Sequence, residues 1–223
     1  RVITFGESPD ADVSVSDCVF EKLHSRFVLS YDGGRRQECA LRVPGMHNIL
    51  NAAAAFAAAL EMGVGPDTIA NGLEAFGGVE RRFEIKSEGP VTVIDDYAHH
   101  PTEVRAVLTA ARIGGFKRIL VGFQPHRYSR TYHLFEDFAR AFDEADTVLI
   151  TDIYPAGEAP IDGVTSSALV ERMKASGVGD VLHVPDLDNI ESYMRDNARP
   201  GDAILILGAG NITRIADRLA KFE

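Results

Sequence analysis

The stretch VTVIDDYAHHPTE, residues 91 to 103, decides the fold. Val91 to Ile94 is a short apolar, β-branched run, which suits a strand better than a helix. Asp95 to His100 then crowd two carboxylates, a phenol and two imidazoles into a turn. Pro101 suits the first position of a following helix, where its missing N–H breaks no bond. The same pattern recurs downstream, with apolar runs at Arg118–Phe123, Thr147–Thr151, Val181–Val184 and Ala203–Leu207 separated by helical stretches. Strand-helix alternation predicts parallel strands joined by right-handed crossovers: an α/β fold with a Rossmann-like, doubly wound, mostly parallel sheet carrying helices on both faces.

Upstream of Gly78 the pattern changes. Val2–Phe5, Val13–Val15, Arg26–Ser30 and Ala40–Val43 read as short strands, with Asp32-Gly33-Gly34 as a hairpin turn. After Pro44-Gly45 the composition turns rich in Ala and Leu, which predicts a tightly packed helix from Asn48 to Met62, stopped by Gly63. Pro66 opens a second helix that runs to about Phe76 and ends at Gly77-Gly78. Two units are therefore expected, residues 1–78 and 79–223. The chain opens on Arg1 rather than Met and runs directly into an apolar segment, so the expectation is a piece of something longer.

A net charge of -10 and a pI near 5.2 over 223 residues argue against a broad nucleic-acid surface or an anionic-membrane patch, so any bound phosphate must meet a local basic cluster. Cys18 and Cys39 match no metal spacing and are too few to staple a secreted scaffold, which predicts a reducing cytoplasm. No apolar run approaches the roughly 20 residues a membrane span needs.

In doubly wound sheets, ligands lie beyond the carboxyl ends of the strands, so the residues after each strand carry the chemistry. In DDYAHHP from Asp95, a carboxylate suits ribose hydroxyls and an imidazole a substrate anion. A shared metal is disfavoured because adjacent side chains diverge, and a merely capped helix is the structural alternative. In QPHRYSR from Gln124, Arg127 and Arg130 stand three apart, suited to gripping a carboxylate or phosphate. GAGN from Gly208 has backbone amides that suit an anion, but Thr213 stands where a dinucleotide motif has its third glycine, so a tight turn needing small residues is preferred. In GMHNILN from Gly45, Asn48 and Asn51 share a helical face and offer the donor and acceptor an adenine edge requires, with a plain N-cap role for Asn48 as the alternative. Glu80-Arg81-Arg82-Phe83, at the expected junction, offers a guanidinium for phosphate charge, against a solvated surface pair.

Taken in order, GMHNILNAAAA from Gly45, RRF from Arg81, DDYAHHPTE from Asp95, FQPHRYSRT from Phe123 and GAGNI from Gly208 resemble the Mur ligase family. Within it, the chain looks most like the branch that joins L-alanine to UDP-N-acetylmuramate. The segments cover most of residues 45 to 212, and DDYAHHP and QPHRYSR are highly specific. The branch that recycles murein tripeptide onto the same nucleotide sugar has a similar histidine-bearing segment and is the nearest alternative. A non-catalytic nucleotide- or amino-acid-binding module is the alternative of another class.

The resemblance implies a UDP-sugar domain, a central ATPase and a carboxyl-terminal Rossmann-like domain. Residues 1–78 resemble the latter part of the central α/β ATPase domain and residues 79–223 the amino-acid-binding domain. Nothing matches the G-x-x-G-K-[ST] phosphate loop, and no Gly-Lys pair occurs, so the chain by itself is expected to be inactive. The implied activity belongs to cytoplasmic peptidoglycan synthesis, which supports cell shape and division. ATP and Mg2+ convert the UDP-N-acetylmuramate carboxylate to an acyl phosphate, which the amine of L-alanine attacks. Neither nucleic acid nor membrane insertion is implied. Carried over by resemblance, His47, Asn48, Asn51, Arg82 and Asp96 bind ATP, while Tyr97, His99, Arg127 and Arg130 bind the substrates. Arg82, His99, Arg127 and Arg130 form the catalytic set, and no metal ligand is assigned.

Overall fold

The computed structural model describes residues 2–21 and 23–221, so Arg1 lies outside the described residues. The chain forms two compact units, residues 1–78 with 113–115, and residues 79–112 with 116–223.

The first unit contains β1 (Phe5–Gly6), β2 (Val13–Glu21), β3 (His24–Tyr31), β4 (Arg35–Leu41), α1 (Met46–Glu61) and α2 (Pro66–Ala75). Its sheet runs β1-β2-β3-β4, with β1 parallel to β2 and the other neighbours antiparallel. Along β3, Phe27, Leu29 and Tyr31 alternate inward, the period-2 signature of a sheet with one buried face. Ile49, Ala53 and Phe56 of α1 join the same core, where the alanines permit close approach and Phe56 meets the Tyr31 ring edge-on at 5.2 Å. Phe56→Ala would cost about 3–5 kcal/mol through lost burial and the cavity left behind.

One expectation here is corrected, and one alternative falls away. The strand expected over Val2–Phe5 is confined to Phe5–Gly6, because Thr4 N–H donates to the Asp12 carboxylate at 2.8 Å instead of to a ladder carbonyl. The N-cap of α1 is Gly45, at φ 101°, rather than Asn48. Asn48 lies inside the helix and its Nδ2 donates back to Pro44 O at 2.7 Å.

The second unit contains β5 (Glu84–Ser87), β6 (Thr92–Asp96), α3 (Pro101–Ile113), β7 (Ile119–Phe123), α4 (Tyr128–His133), α5 (Phe135–Phe138), β8 (Thr147–Ile150), α6 (Ser166–Ala175), β9 (Asp180–His183), α7 (Leu187–Asn197), β10 (Ala203–Leu207) and α8 (Thr213–Leu219). The sheet order is β5-β6-β10-β7-β8-β9, parallel from β6 to β9. An antiparallel edge strand, β5, completes it. Every residue of β6, β7, β8 and β10 is buried, as a sheet covered on both faces requires. On one face Leu120, Ile204 and Ile206 pack with Ile190 and Met194 of α7 and Ile215 of α8. On the other, Phe123 packs against Phe138 and Phe142 at ring-centroid distances of 5.6 and 5.2 Å.

The register fixes where the chemistry sits. Leu207 of β10 pairs with Asp96 on one side and Phe123 on the other, and Phe123 pairs with Ile150. The carboxyl ends of β6, β10, β7 and β8 therefore lie level and adjacent. The segments beginning at Tyr97, Gly208, Gln124 and Thr151 leave the sheet side by side.

Candidate functional site

At the level of the strand ends, a lattice of buried polar groups ties these segments together. Asp96 is 4% exposed, and its two oxygens accept Phe83 N at 2.6 Å and Ala98 N at 2.7 Å. Burial pushes its carboxyl up to about 6, against the pull of those two amides and of Arg82. Any ribose contact by Asp96 must therefore use the remaining lone pairs of a group already holding the turn before β5. Asp95 is fully buried. Its Oδ2 accepts the Thr213 hydroxyl at 2.6 Å and lies 3.3 Å from Arg81 Nε, and burial raises its carboxyl too.

The two arginines of the RRF segment have separate roles. Arg81, at φ 58°, turns inward to Asp95, donates to Gly208 O through Nη2 and lies over the Tyr97 ring at 4.8 Å. Arg82 is exposed and lies over the same ring at 5.8 Å. Arg81 thus braces the site, while Arg82 remains available to an outside anion.

Gln124, buried at the end of β7, ties that strand to the segment after β10. Its Nε2 donates to Asn211 Oδ1 at 2.9 Å, and its Oε1 accepts Ile212 N at 3.2 Å. This bracing explains the small residues of GAGN. A Cβ on Gly208 would lie 3.0 Å from Gln124 O, and one on Gly210 would lie 2.2 Å from Gln124 Oε1 and 2.9 Å from Tyr154 Cγ.

Above this layer, Tyr97, His99, His126 and Arg130 form a continuous chain of contacts. Tyr97 and His99 meet edge to face at 5.2 Å, and His99 and His126 do so at 6.1 Å. Arg130 Nη1 reaches His126 Nδ1 at 3.2 Å and His126 O at 3.1 Å. His99 Nδ1 donates to Tyr97 O at 2.8 Å, while Glu103 caps the start of α3 by accepting His99 N and His100 N. Arg127 is exposed and adopts φ 73° and ψ 137°. That backbone region is almost reserved for glycine. Glu158, after β8, accepts both N–H and O–H of Ser129 at the start of α4.

Of the residues singled out from sequence, Tyr97, His99, Arg127 and Arg130 come together in the second unit, with Arg82 and Asp96 adjoining them through Tyr97 and Phe83. His47, Asn48 and Asn51 belong to α1 of the first unit, where His47 and Asn51 are exposed. A separate groove of about 500 Å3 in that unit is lined by Asp17, Arg26, Glu38, Asp67, Asn71 and Glu74, none of them singled out. Sequence reading missed the bracing roles of Arg81, Gln124 and Thr213. It also missed Tyr154, although the segment after β8 obeys the same strand-end rule.

The family model described as Mur ligase, glutamate ligase domain, matches residues 81–210. A UDP-N-acetylmuramate–L-alanine ligase of Solibacter usitatus is 46% identical over 222 residues, covering 99% of this chain and 47% of that protein. The chain spans about half the length of the curated relatives it matches. The solved UDP-N-acetylmuramate–alanine ligase of Thermotoga maritima superposes with a TM-score of 0.83 at 30% identity, over 98% of this chain and 47% of that one. A murein peptide ligase of Psychrobacter arcticus shares the fold at a TM-score of 0.61 and 24% identity, over 97% of this chain and 45% of that one.

Proposed function

The chain belongs to the Mur ligase family, and on that premise we propose that it is the amino-acid-binding part, with a portion of the ATP-binding part, of a cytoplasmic enzyme that joins L-alanine to UDP-N-acetylmuramate. The carrying observation is the convergence of Tyr97, His99, His126 and Arg130 at the level ends of β6 and β7.

In the proposed reaction, a carboxylate oxygen takes the γ-phosphoryl group of ATP and ADP leaves. The amine nitrogen then bonds to the acyl carbon, phosphate leaves, and the nitrogen gives up a proton. Because the nucleophile belongs to the substrate, the protein supplies position and charge. Arg127 and Arg130 present guanidiniums to the carboxylate of the incoming amino acid or to the acyl phosphate, where a planar fork makes two parallel hydrogen bonds. His99 donates its Nδ1–H to a carbonyl, so in the neutral ring Nε2 carries the lone pair and can take the proton from nitrogen. Arg82 is assigned to phosphate charge, Asp96 steadies the turn that carries it by accepting Phe83 N, and His47, Asn48 and Asn51 of the first unit are assigned to adenine. The Asn48 Nδ2 bond to Pro44 O points its carboxamide in one sense, with Oδ1 left as the acceptor for an exocyclic amine. Mg2+ would supply charge neutralisation at the phosphates. Among the described residues no group of three or more His, Cys, Asp or Glu is arranged to hold it, and no residue of this chain is assigned to it.

The test uses a full-length ligase in which residues 1–223 replace the corresponding half of the Solibacter usitatus relative. Arg130→Lys should lower kcat/KM for L-alanine or UDP-N-acetylmuramate roughly ten- to a hundredfold, since one hydrogen bond to a charged group contributes about 1.5–3 kcal/mol. Asn51→Ala should raise the KM for ATP and leave that for L-alanine nearly unchanged. The substrate-side assignment is abandoned if Arg130→Lys acts on ATP alone. Turnover with a murein tripeptide but not with L-alanine would move the chain to the recycling branch.

A further inference from the structure

We propose that His126 is a positioning residue: as the neutral Nε2–H tautomer, its Nδ1 and its carbonyl together hold the Arg130 guanidinium, and Tyr154 fixes its ring. The inference rests on the reading of Arg130 as the anion-binding group. A guanidinium has only donors, so an Nδ1 at 3.2 Å from Arg130 Nη1 must accept, which places the ring proton on Nε2. The same Nη1 donates to His126 O at 3.1 Å, so both acceptors come from one residue and orient one edge of the fork.

The ring itself is held from two directions. Tyr154 stacks on it at 5.5 Å with planes 11° apart, and His99 meets it edge-on. The two backbones are clamped by Arg127 N donating to Tyr154 O and Tyr154 N donating to Pro125 O, both at 2.8 Å. Tyr154 is seated in turn against Gly210, where even a methyl group would lie 2.9 Å from Cγ. Those contacts give Tyr154 and Gly210 a reason to be where they are.

Burial is the first cause favouring the neutral form of the ring, and the surrounding charge acts with it. Arg130 faces it from α4, His99 from the segment after β6 and Arg127 from its own loop, while Glu158, from the segment after β8, opposes them. The imidazole is held below its ordinary range. On protonation Nδ1 becomes a donor, and its bond to Arg130 is replaced by two N–H groups and two positive charges pointed at one another. Arg130 is then released from one of its two anchors, so anion binding should weaken as pH falls.

The first measurement uses the 223-residue chain with 15N-labelled histidine and arginine. Expected are a His126 Nδ1 signal of an unprotonated nitrogen, persisting to lower pH than in a free imidazole, and a restrained Arg130 side chain. His126→Asn keeps an acceptor where Nδ1 was and should keep Arg130 restrained. His126→Phe keeps the stack on Tyr154 and the melting temperature but leaves Arg130 only the backbone carbonyl, and should loosen it. In the chimeric ligase, His126→Phe should raise the KM for L-alanine or UDP-N-acetylmuramate roughly tenfold with kcat and the KM for ATP nearly unchanged. The acid-side rise of that KM in the parent should be absent from His126→Asn. A protonated Nδ1 at neutral pH, or an Arg130 equally restrained in His126→Phe, overturns the proposal. Expected nitrogen signals in a chimera that shows no L-alanine-dependent turnover would instead reject the ligase reading and leave the tautomer assignment standing.

Discussion

Replacing Arg127 with glycine should make the protein more stable and less functional at once. Arg127 sits at φ 73°, ψ 137°, with its N–H donated to Tyr154 O at 2.8 Å and its carbonyl accepting Thr131 N at 3.1 Å and Thr131 Oγ1 at 2.9 Å. Those bonds fix the peptides on both sides, so the residue cannot relax into a common conformation. A non-glycine residue held there costs on the order of 1–3 kcal/mol. Glycine removes that strain but gives the unfolded chain more freedom, which offsets about 0.4–1 kcal/mol. The side chain is exposed, so its loss should change stability by no more than about 0.5 kcal/mol.

The net expectation for Arg127→Gly is a gain of about 1 kcal/mol, or roughly 2–4 °C in Tm for a protein of this size. Arg127→Ala retains a Cβ and hence the strain, so it should melt close to the parent. Differential scanning calorimetry of the 223-residue chain, following the transition to which the second unit contributes, measures the difference between the two variants. Both should weaken substrate binding in the chimeric ligase by about ten- to a hundredfold, the loss of one charged contact. A glycine variant no more stable than the alanine variant would show that Arg127 carries no strain. An Arg127→Gly variant that gains stability and loses no affinity would show that the Arg127 guanidinium does not touch the substrate.

Two further outcomes follow from the buried layer. Gly210→Ala puts a Cβ 2.2 Å from Gln124 Oε1 and should destabilise the chain by about 1–3 kcal/mol through overpacking and displacement of Gln124; an unshifted urea midpoint would refute the packing account. Asp96 has a carboxyl raised from 3.8 to about 6, so its stabilising contribution is complete below the unfolded value and is lost as pH rises through about 6. Asp96→Asn does not titrate, so between pH ~5 and ~7.5 it should gain about 1 kcal/mol relative to the parent in urea unfolding; a difference that stays flat with pH would show that the carboxyl is not raised. Taking the ratio to the parent cancels His126, whose depressed imidazole acts in the opposite sense, its stabilisation being lost as pH falls below the ordinary 6.5.

Much of the fold was legible because burial on both faces leaves a plain mark. Continuous apolar runs named β6, β7, β8 and β10 to within a residue or two, and Pro66 and Pro101 mark the first residues of α2 and α3. The edge strand β5, EIKS, escaped because each of its residues is only partly buried and its antiparallel pairing leaves no strand-helix alternation to read. Val2–Phe5 misled for the opposite reason: its residues favour a strand, but the Asp12 side chain takes the Thr4 amide that a ladder would need.

The strand-end cluster was legible by position and much less so by role. Being polar and just past a strand end places a residue at the carboxyl edge of the sheet, but it does not say which way the side chain turns. Arg81 and Arg82 are adjacent and chemically identical, yet a φ of 58° at Arg81 sends one guanidinium onto Asp95 and Gly208 and leaves the other exposed. Asp95, Asp96 and Gln124 have their polar atoms turned mostly to neighbouring backbone and side chains, and three strand ends are tied together by those bonds. Such groups cost desolvation unless they are partnered, and the bonds they make here brace loops, while Asp95 Oδ1 is buried without a hydrogen-bond partner among the described residues. Arg82, Arg127 and Asn51 point to solvent from elements those braces or the core hold rigid. Losing a brace should therefore move several outward groups together, whereas losing an outward group should remove one contact and leave the frame intact.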